Sequence, residues 1–166
     1  MRPMSARDWN RGLRWLRQHL PTVNERYGRP FRATPDAPNT LEAVTRAWQT
    51  TGPVPVWNGG SGRTVYGSPL HNYAFRAWHD STHVRLQTPF SPAGEKTTAL
   101  AQVRMLLSCT DLGTPGDRVR AARLVYEDIV AQVEHCERYG DFPVDQLGFQ
   151  RAYATRGPSE ALACPW

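Results

Sequence analysis

The sequence predicts an all-α, single-domain protein: a bundle of about six helices with one small hairpin or long loop near 53–67. Three observations predict it. Ser68-Pro69, Ser91-Pro92 and Thr114-Pro115 each set a hydroxyl before a proline, pairing an N-cap with a first helical residue that needs no N–H partner. The segments after them repeat apolar residues at intervals of three and four. Only the stretch 52–67 has strand or turn character. A chain of 166 residues suits one domain with a real core.

Ser5 to Leu20 reads as an amphipathic basic helix. Trp9, Leu13, Leu16 and Leu20 form its apolar stripe, and Arg7, Arg11 and Arg14 lie opposite, in water. Prolines 21, 30, 35 and 38 make 21–38 a loop. Asn39 is the expected cap of a helix to Thr50, with Glu42 completing a capping box. The run GPVPVWNGGSGRTVYG lacks a Walker lysine, so its Asn58–Gly62 tip reads as a plain turn. Helices are expected over 69–86, 92–108 and 115–139, with Gly140 as a C-terminal stop. A last helix spans 143–155. The tail 156–166 is expected to be extended and to pack through Trp166. The segment 69–155 is the helical core that carries the candidate site.

Net charge is +5, from 19 arginines and the single Lys96 against 15 acids. So large an arginine excess reads as a genome-composition effect. A basic surface favours anionic partners such as nucleotides or nucleic acid, with non-specific basicity weighed ahead of dedicated nucleic-acid binding. Cys109, Cys136 and Cys164 form no CxxC pair and read as reduced thiols. No apolar run approaches the roughly 20 residues of a membrane span, and the N-terminus has no secretory pattern. The expectation is a cytoplasmic protein without membrane contact.

The stretch FRAWHDSTH, Phe75 to His83, carries the chemistry. With residues about 100° apart on a helix, Asn72, Arg76, His79 and His83 fall in one sector. Most of the remaining circumference is apolar, so the stripe is expected to face inward. Buried polar groups need partners. Two histidines at i, i+4 suit one metal ion. Asp128 is the expected third ligand, from the inward flank of helix 115–139, while Glu127 and Glu134 are assigned to its solvated side. Glu95 is a fourth ligand, a general base, or a charge serving its own helix N-terminus. Asp80 is a further ligand or catalytic group. Arg76 would hold an anion such as phosphate. Asn72, Gln132 and His135 would support these groups from behind. His19 and His71 fit the stripe poorly. The donor set suits Zn, Mn or Fe. The alternative is a hydrogen-bonded polar core with no metal.

Four resemblances bear on these residues. Adjacent His79-Asp80 with Asp128 downstream in a helical chain resembles the HD-domain metal-dependent phosphohydrolases. The family's upstream histidine has no counterpart, and His83 would stand in for it. HDSTH is similar to the zinc-protease motif HExxH, with aspartate for glutamate and no third-ligand motif after it. His79, His83 and Asp128 resemble a 2-His-1-carboxylate iron site. The longer stretch NYAFRAWHDSTH, with FPVDQ at 142–146, resembles uncharacterised small proteins of phages and mobile elements, over about residues 64–150. That resemblance implies a phage-encoded protein in a host cytoplasm.

The expected function is a metal-dependent hydrolase of a phosphorylated substrate, a nucleotide foremost. Two alternatives stand beside it. One is a non-haem iron enzyme. The other is a non-catalytic phage-type inhibitor or nucleic-acid binder working through its arginine surface.

Overall fold

The computed structural model describes residues 2–50 and 52–166. Among these the chain forms helices α1 (Ala6–Tyr27), α2 (Leu41–Gln49), α3 (Pro69–Leu86), α4 (Pro92–Ser108), α5 (Pro115–Tyr139), α6 (Gln146–Arg156) and α7 (Pro158–Ala161). Two short strands accompany them, β1 (Phe31–Thr34) and β2 (Val54–Trp57). The fold is all-α in class. α5 packs on α4 and α1, and α1 packs on α3. Their shared core holds Trp9, Trp15, Leu16, Leu20, Phe75, Trp78, Leu106 and Leu124.

The three hydroxyl–proline signals mark true helix starts. Ser68 Oγ accepts from His71 N at 3.2 Å, Ser91 Oγ from Gly94 N at 3.3 Å, and Thr114 Oγ1 from Asp117 N at 3.2 Å. Each such cap stabilises its helix by about 1 kcal/mol. Gly140 ends α5 in the left-handed region, at φ 81°.

Four expectations are corrected. α1 does not stop at Pro21 but continues to Tyr27. A proline inside a helix costs about 3 kcal/mol. Burial of Leu20 and Val23 offsets it, as do the Arg26–Asp111 pair at 2.7 Å and the Tyr27–Ser108 hydroxyl contact at 2.9 Å. α2 is capped by Thr40, whose Oγ1 accepts from Ala43 N, rather than by Asn39; Glu42 pairs with Arg46 at 2.7 Å instead of closing a capping box. The segment near 53–67 is not a hairpin. β2 pairs in parallel with β1, Phe31 opposite Val54, so β1–α2–β2 is a small crossover unit. Val54 and Val56 are buried beside Ala77 of α3, a packing that a local hairpin would not supply. Finally, α6 begins at Gln146 on an Asp145 cap, and α7 occupies part of the tail expected to be extended. Trp166 does pack: its Nε1 donates to Ala161 O at 2.7 Å and its ring lies beside Phe149.

The α3–α4 turn positions the site. Gln87, at φ 53°, ends α3 and turns the chain back on itself. A Cβ on Gly94 would stand 1.9 Å from the Pro89 carbonyl oxygen, so only glycine lets the turn lie this close to α4. The tight return sets Glu95, in the first turn of α4, beside the last turns of α3. No helix among the described residues is long and apolar enough to cross a membrane.

Candidate metal centre

His79 and His83 stand one turn apart on α3, their rings 4.6 Å between centroids and 75° between planes. Glu95 reaches both. Its Oε2 lies 3.0 Å from His79 Nε2, and its Oε1 lies 3.4 Å from His83 Nε2. The two Nε2 atoms are 3.1 Å apart. The donor atoms of the three side chains all lie within 4.8 Å of one another.

The far side of each ring fixes what faces the centre. His83 Nδ1 is 2.9 Å from Thr88 O, a carbonyl that can only accept. Nδ1 therefore carries a proton, which leaves Nε2 as the nitrogen that faces inward. Thr88 and Thr98 hydroxyls line the same side, 3.2 and 3.3 Å from that nitrogen. His79 Nδ1 meets Gln102 Oε1 at 3.0 Å. An acceptor behind each imidazole is the arrangement that orients metal-bound histidines. His83 is fully buried, while His79 and Glu95 keep 13% and 17% of their side chains exposed. Their open side adjoins a pocket of about 600 Å³ lined in part by Phe75, Arg76, Asp80, Phe90 and Gln132. Two imidazoles and one carboxylate with an open position fit a divalent metal of the catalytic kind.

Charge inside this cluster is strongly coupled. Burial opposes a charge on His79, but the hydrogen bond and negative charge of Glu95 outweigh it and raise the imidazole to about 9. Burial likewise opposes the Glu95 carboxylate, and the two histidines overcome it, lowering Glu95 to about 2. A positive charge therefore belongs among these three side chains, as a proton or as a metal.

The remaining expected residues are distributed as follows. Asp80 lines the pocket, and burial raises it to about 6. Arg76 lines it too. Its Nη1 donates to Trp57 O and to Gly59 O, the latter at 2.7 Å, and its guanidinium lies 4.9 Å from the Trp57 ring centroid. Nε and Nη2 make no hydrogen bond among the described residues, so three N–H donors stay free. Asp128 does not join the ligand cluster. It accepts from the Tyr66 hydroxyl at 2.9 Å, and burial raises it to about 6. The Tyr66 ring stacks on Phe75, which lies against His79, so an aromatic layer stands between the two regions. Glu95, expected as a fourth ligand, rather than Asp128 stands with the two histidines, because the tight α3–α4 turn brings it there. Gln132 lines the pocket and helps hold Asp128 down against its burial.

Two assignments move away from the centre, and a third, Glu127, leaves the solvated side. Asn72 Nδ2 donates to Ser61 Oγ at 2.8 Å, so it fastens the 57–62 loop. His135 turns aside: its Nδ1 donates to Asp141 O at 2.7 Å and its ring packs between Tyr139 and Phe149. Glu127 is buried against Arg123 at 2.7 Å rather than solvated. The supporting residues that sequence reasoning passed over are Thr88, Thr98, Gln102 and Tyr66. Gln102 shares a helical stripe with Glu95, which was the one signal available for it.

No family model, curated protein or solved structure matches this chain.

Proposed function

We propose that His79, His83 and Glu95 hold one divalent metal ion and that the chain is a metal-dependent hydrolase of a phosphorylated substrate, with nucleotides as the substrate class. One observation carries the metal: two imidazole nitrogens 3.1 Å apart face the same carboxylate, with His83 held from behind by the Thr88 carbonyl so that its Nε2 points inward. A bound metal would polarise a phosphoryl oxygen and lower the pKa of a bound water. Zn or Mn suits that chemistry, and the same donors suit Fe(II).

The chain's own residues supply the rest. Arg76 is anchored by two carbonyls on Nη1, which leaves Nε and Nη2 as a fork for a phosphoryl group. Asp80, raised to about 6, is able to take and return a proton near neutral pH. Phe75, Phe90 and Phe142 give the pocket aromatic walls suited to a planar base.

Protein purified without a histidine tag is to be measured for metal by elemental mass spectrometry, beside a His79→Ala/His83→Ala variant. Near one equivalent, lost in the variant, supports the centre. Zn- or Mn-dependent release of phosphate from a nucleotide panel then supports the activity. Iron with no phosphatase activity would move the reading to oxidative chemistry. No metal after reconstitution would leave a histidine–glutamate polar core.

A further inference from the structure

A second groove, of about 870 Å³, runs between α1 and the α4–α5 turn and shares no lining residue with the metal pocket. It is a built feature. Trp15 Nε1 donates to Leu112 O at 3.1 Å, and Gly113, at φ 62°, lies against the indole where any Cβ would come within 2.7 Å. Arg7, Asn10, Arg14 and Gln18 line its open side at helical spacing, all exposed.

The acids of this region are already neutralised. Asp117 pairs with Arg11 at 2.9 Å and also accepts from Thr114, while Asp8 pairs with Arg120 and accepts from Ser5. Arg7 and Arg14 have no acidic partner among the described residues, so the groove keeps a net positive charge. No large exposed apolar side chain lines it, since those lie at Trp57, Leu70, Leu86, Leu100, Leu107, Val119, Phe142 and Val144. The core of a protein–protein interface needs such a side chain. Guanidinium and carboxamide N–H donors are instead the groups that contact phosphate and sugar. At 1.5 Å of rise per residue, Arg7 and Arg14 stand ~10 Å apart along α1, roughly three steps of a stacked strand.

We infer that this groove binds the phosphodiester backbone of a nucleic acid, without reading bases. Arg7 and Arg14 make the ionic contacts, and Asn10 and Gln18 add neutral hydrogen bonds. The inference is independent of the metal centre.

The test is fluorescence polarisation of a short labelled single-stranded DNA with the full chain over a salt series. The comparison is Arg7→Glu/Arg14→Glu against Arg32→Glu/Arg104→Glu, a pair equally exposed, of equal charge change and outside the groove. All four side chains are at the surface, so thermal melting is expected to show both variants folded. The groove variant should bind at least about tenfold more weakly, with a log–log salt slope shallower by about 1.4, as for two lost phosphate contacts. The control pair should stay within about twofold of the parent. Equal losses in both variants would reduce the effect to overall basicity and overturn the inference, as would no binding by the parent at low salt.

Discussion

The Nε2 atoms of His79 and His83 approach to 3.1 Å, while behind His83 its Nδ1 meets Thr88 O at 2.9 Å. Glu95 favours a positive charge at the inner face of these rings, a proton on His79 or a metal ion. Glu95 is placed to balance either one.

Glu95→Gln keeps the shape of this side chain and removes its charge. Metal affinity should fall by more than the about 10- to 100-fold that loss of an outer-shell partner costs. Asp128→Asn, outside the cluster, should stay within that range. Competition against a chromophoric chelator measures both, and a larger loss in the Asp128 variant would return the third position to Asp128.

In metal-free protein, His79 is raised from 6.5 to about 9. A group raised on folding contributes stability that is complete below its unfolded pKa and is lost as pH rises through the folded one. The melting temperature should therefore fall between pH 6.5 and 9, and this fall should vanish in His79→Gln. At the acid end Glu95, lowered from 4.5 to about 2, contributes stability present above 4.5 and lost as pH falls through 2. Metal-loaded protein should be flatter between pH 6.5 and 9, since a coordinated Nε2 takes no proton. An unchanged fall in His79→Gln would assign it to other groups.

Asp128 behaves in the opposite sense to Glu95. Burial raises it from 3.8 to about 6, so its ionised form is costly and stability declines as pH rises through that interval. Asp128→Asn keeps an acceptor for Tyr66 and removes the charge. At pH 8 it should stabilise the fold by up to about 3 kcal/mol, and at pH 3.5 by almost nothing. Thermal melts at both pH values decide it, and destabilisation at pH 8 would count against the argument.

Gly94→Ala would set a Cβ 1.9 Å from Pro89 O. The turn must shift, at a cost of about 1–3 kcal/mol. Because Glu95 follows directly, metal affinity should fall together with the melting temperature. A stability loss with affinity intact would mean that the turn does not position the ligand.

Arg76→Lys keeps the charge but not the fork. The lysine cannot both hold the Trp57 and Gly59 carbonyls and receive a phosphoryl group. kcat/KM on a nucleotide substrate should fall by about 100-fold, the scale of a mispositioned substrate, with metal content unchanged. Undiminished turnover would remove Arg76 from substrate binding.

The helices of the core could be read from the sequence because their starts are written locally. A hydroxyl followed by proline fixes the first turn whatever packs above it, and α3, α4 and α5 begin where those pairs stand. The continuation of α1 past Pro21 was hidden, since it depends on contacts with Asp111 and Ser108, far away in sequence. The β1–β2 pairing was hidden for the same reason. At the site, helical spacing aligned His79 with His83 and put Glu95 inward. Choosing between Glu95 and Asp128 needed the α3–α4 turn, whose closeness depends on Gly94 meeting one carbonyl. His135 misled because a polar residue flanking an apolar stripe meets whichever neighbour is there, in this case Phe149 and the Asp141 carbonyl.

All three candidate ligands fall within residues 79–95, on a single helix–turn–helix corner. Closing so short a loop costs little chain entropy, so the three side chains come together wherever α3 and α4 meet. The pocket walls arrive from far along the chain: Trp57 from the strand unit, Ile129 and Gln132 from α5. Under the proposed function, the ion would rest on this local corner and substrate recognition on residues drawn from across the chain. A substitution at Ile129 or Gln132 would then reshape the pocket wall without removing a candidate ligand.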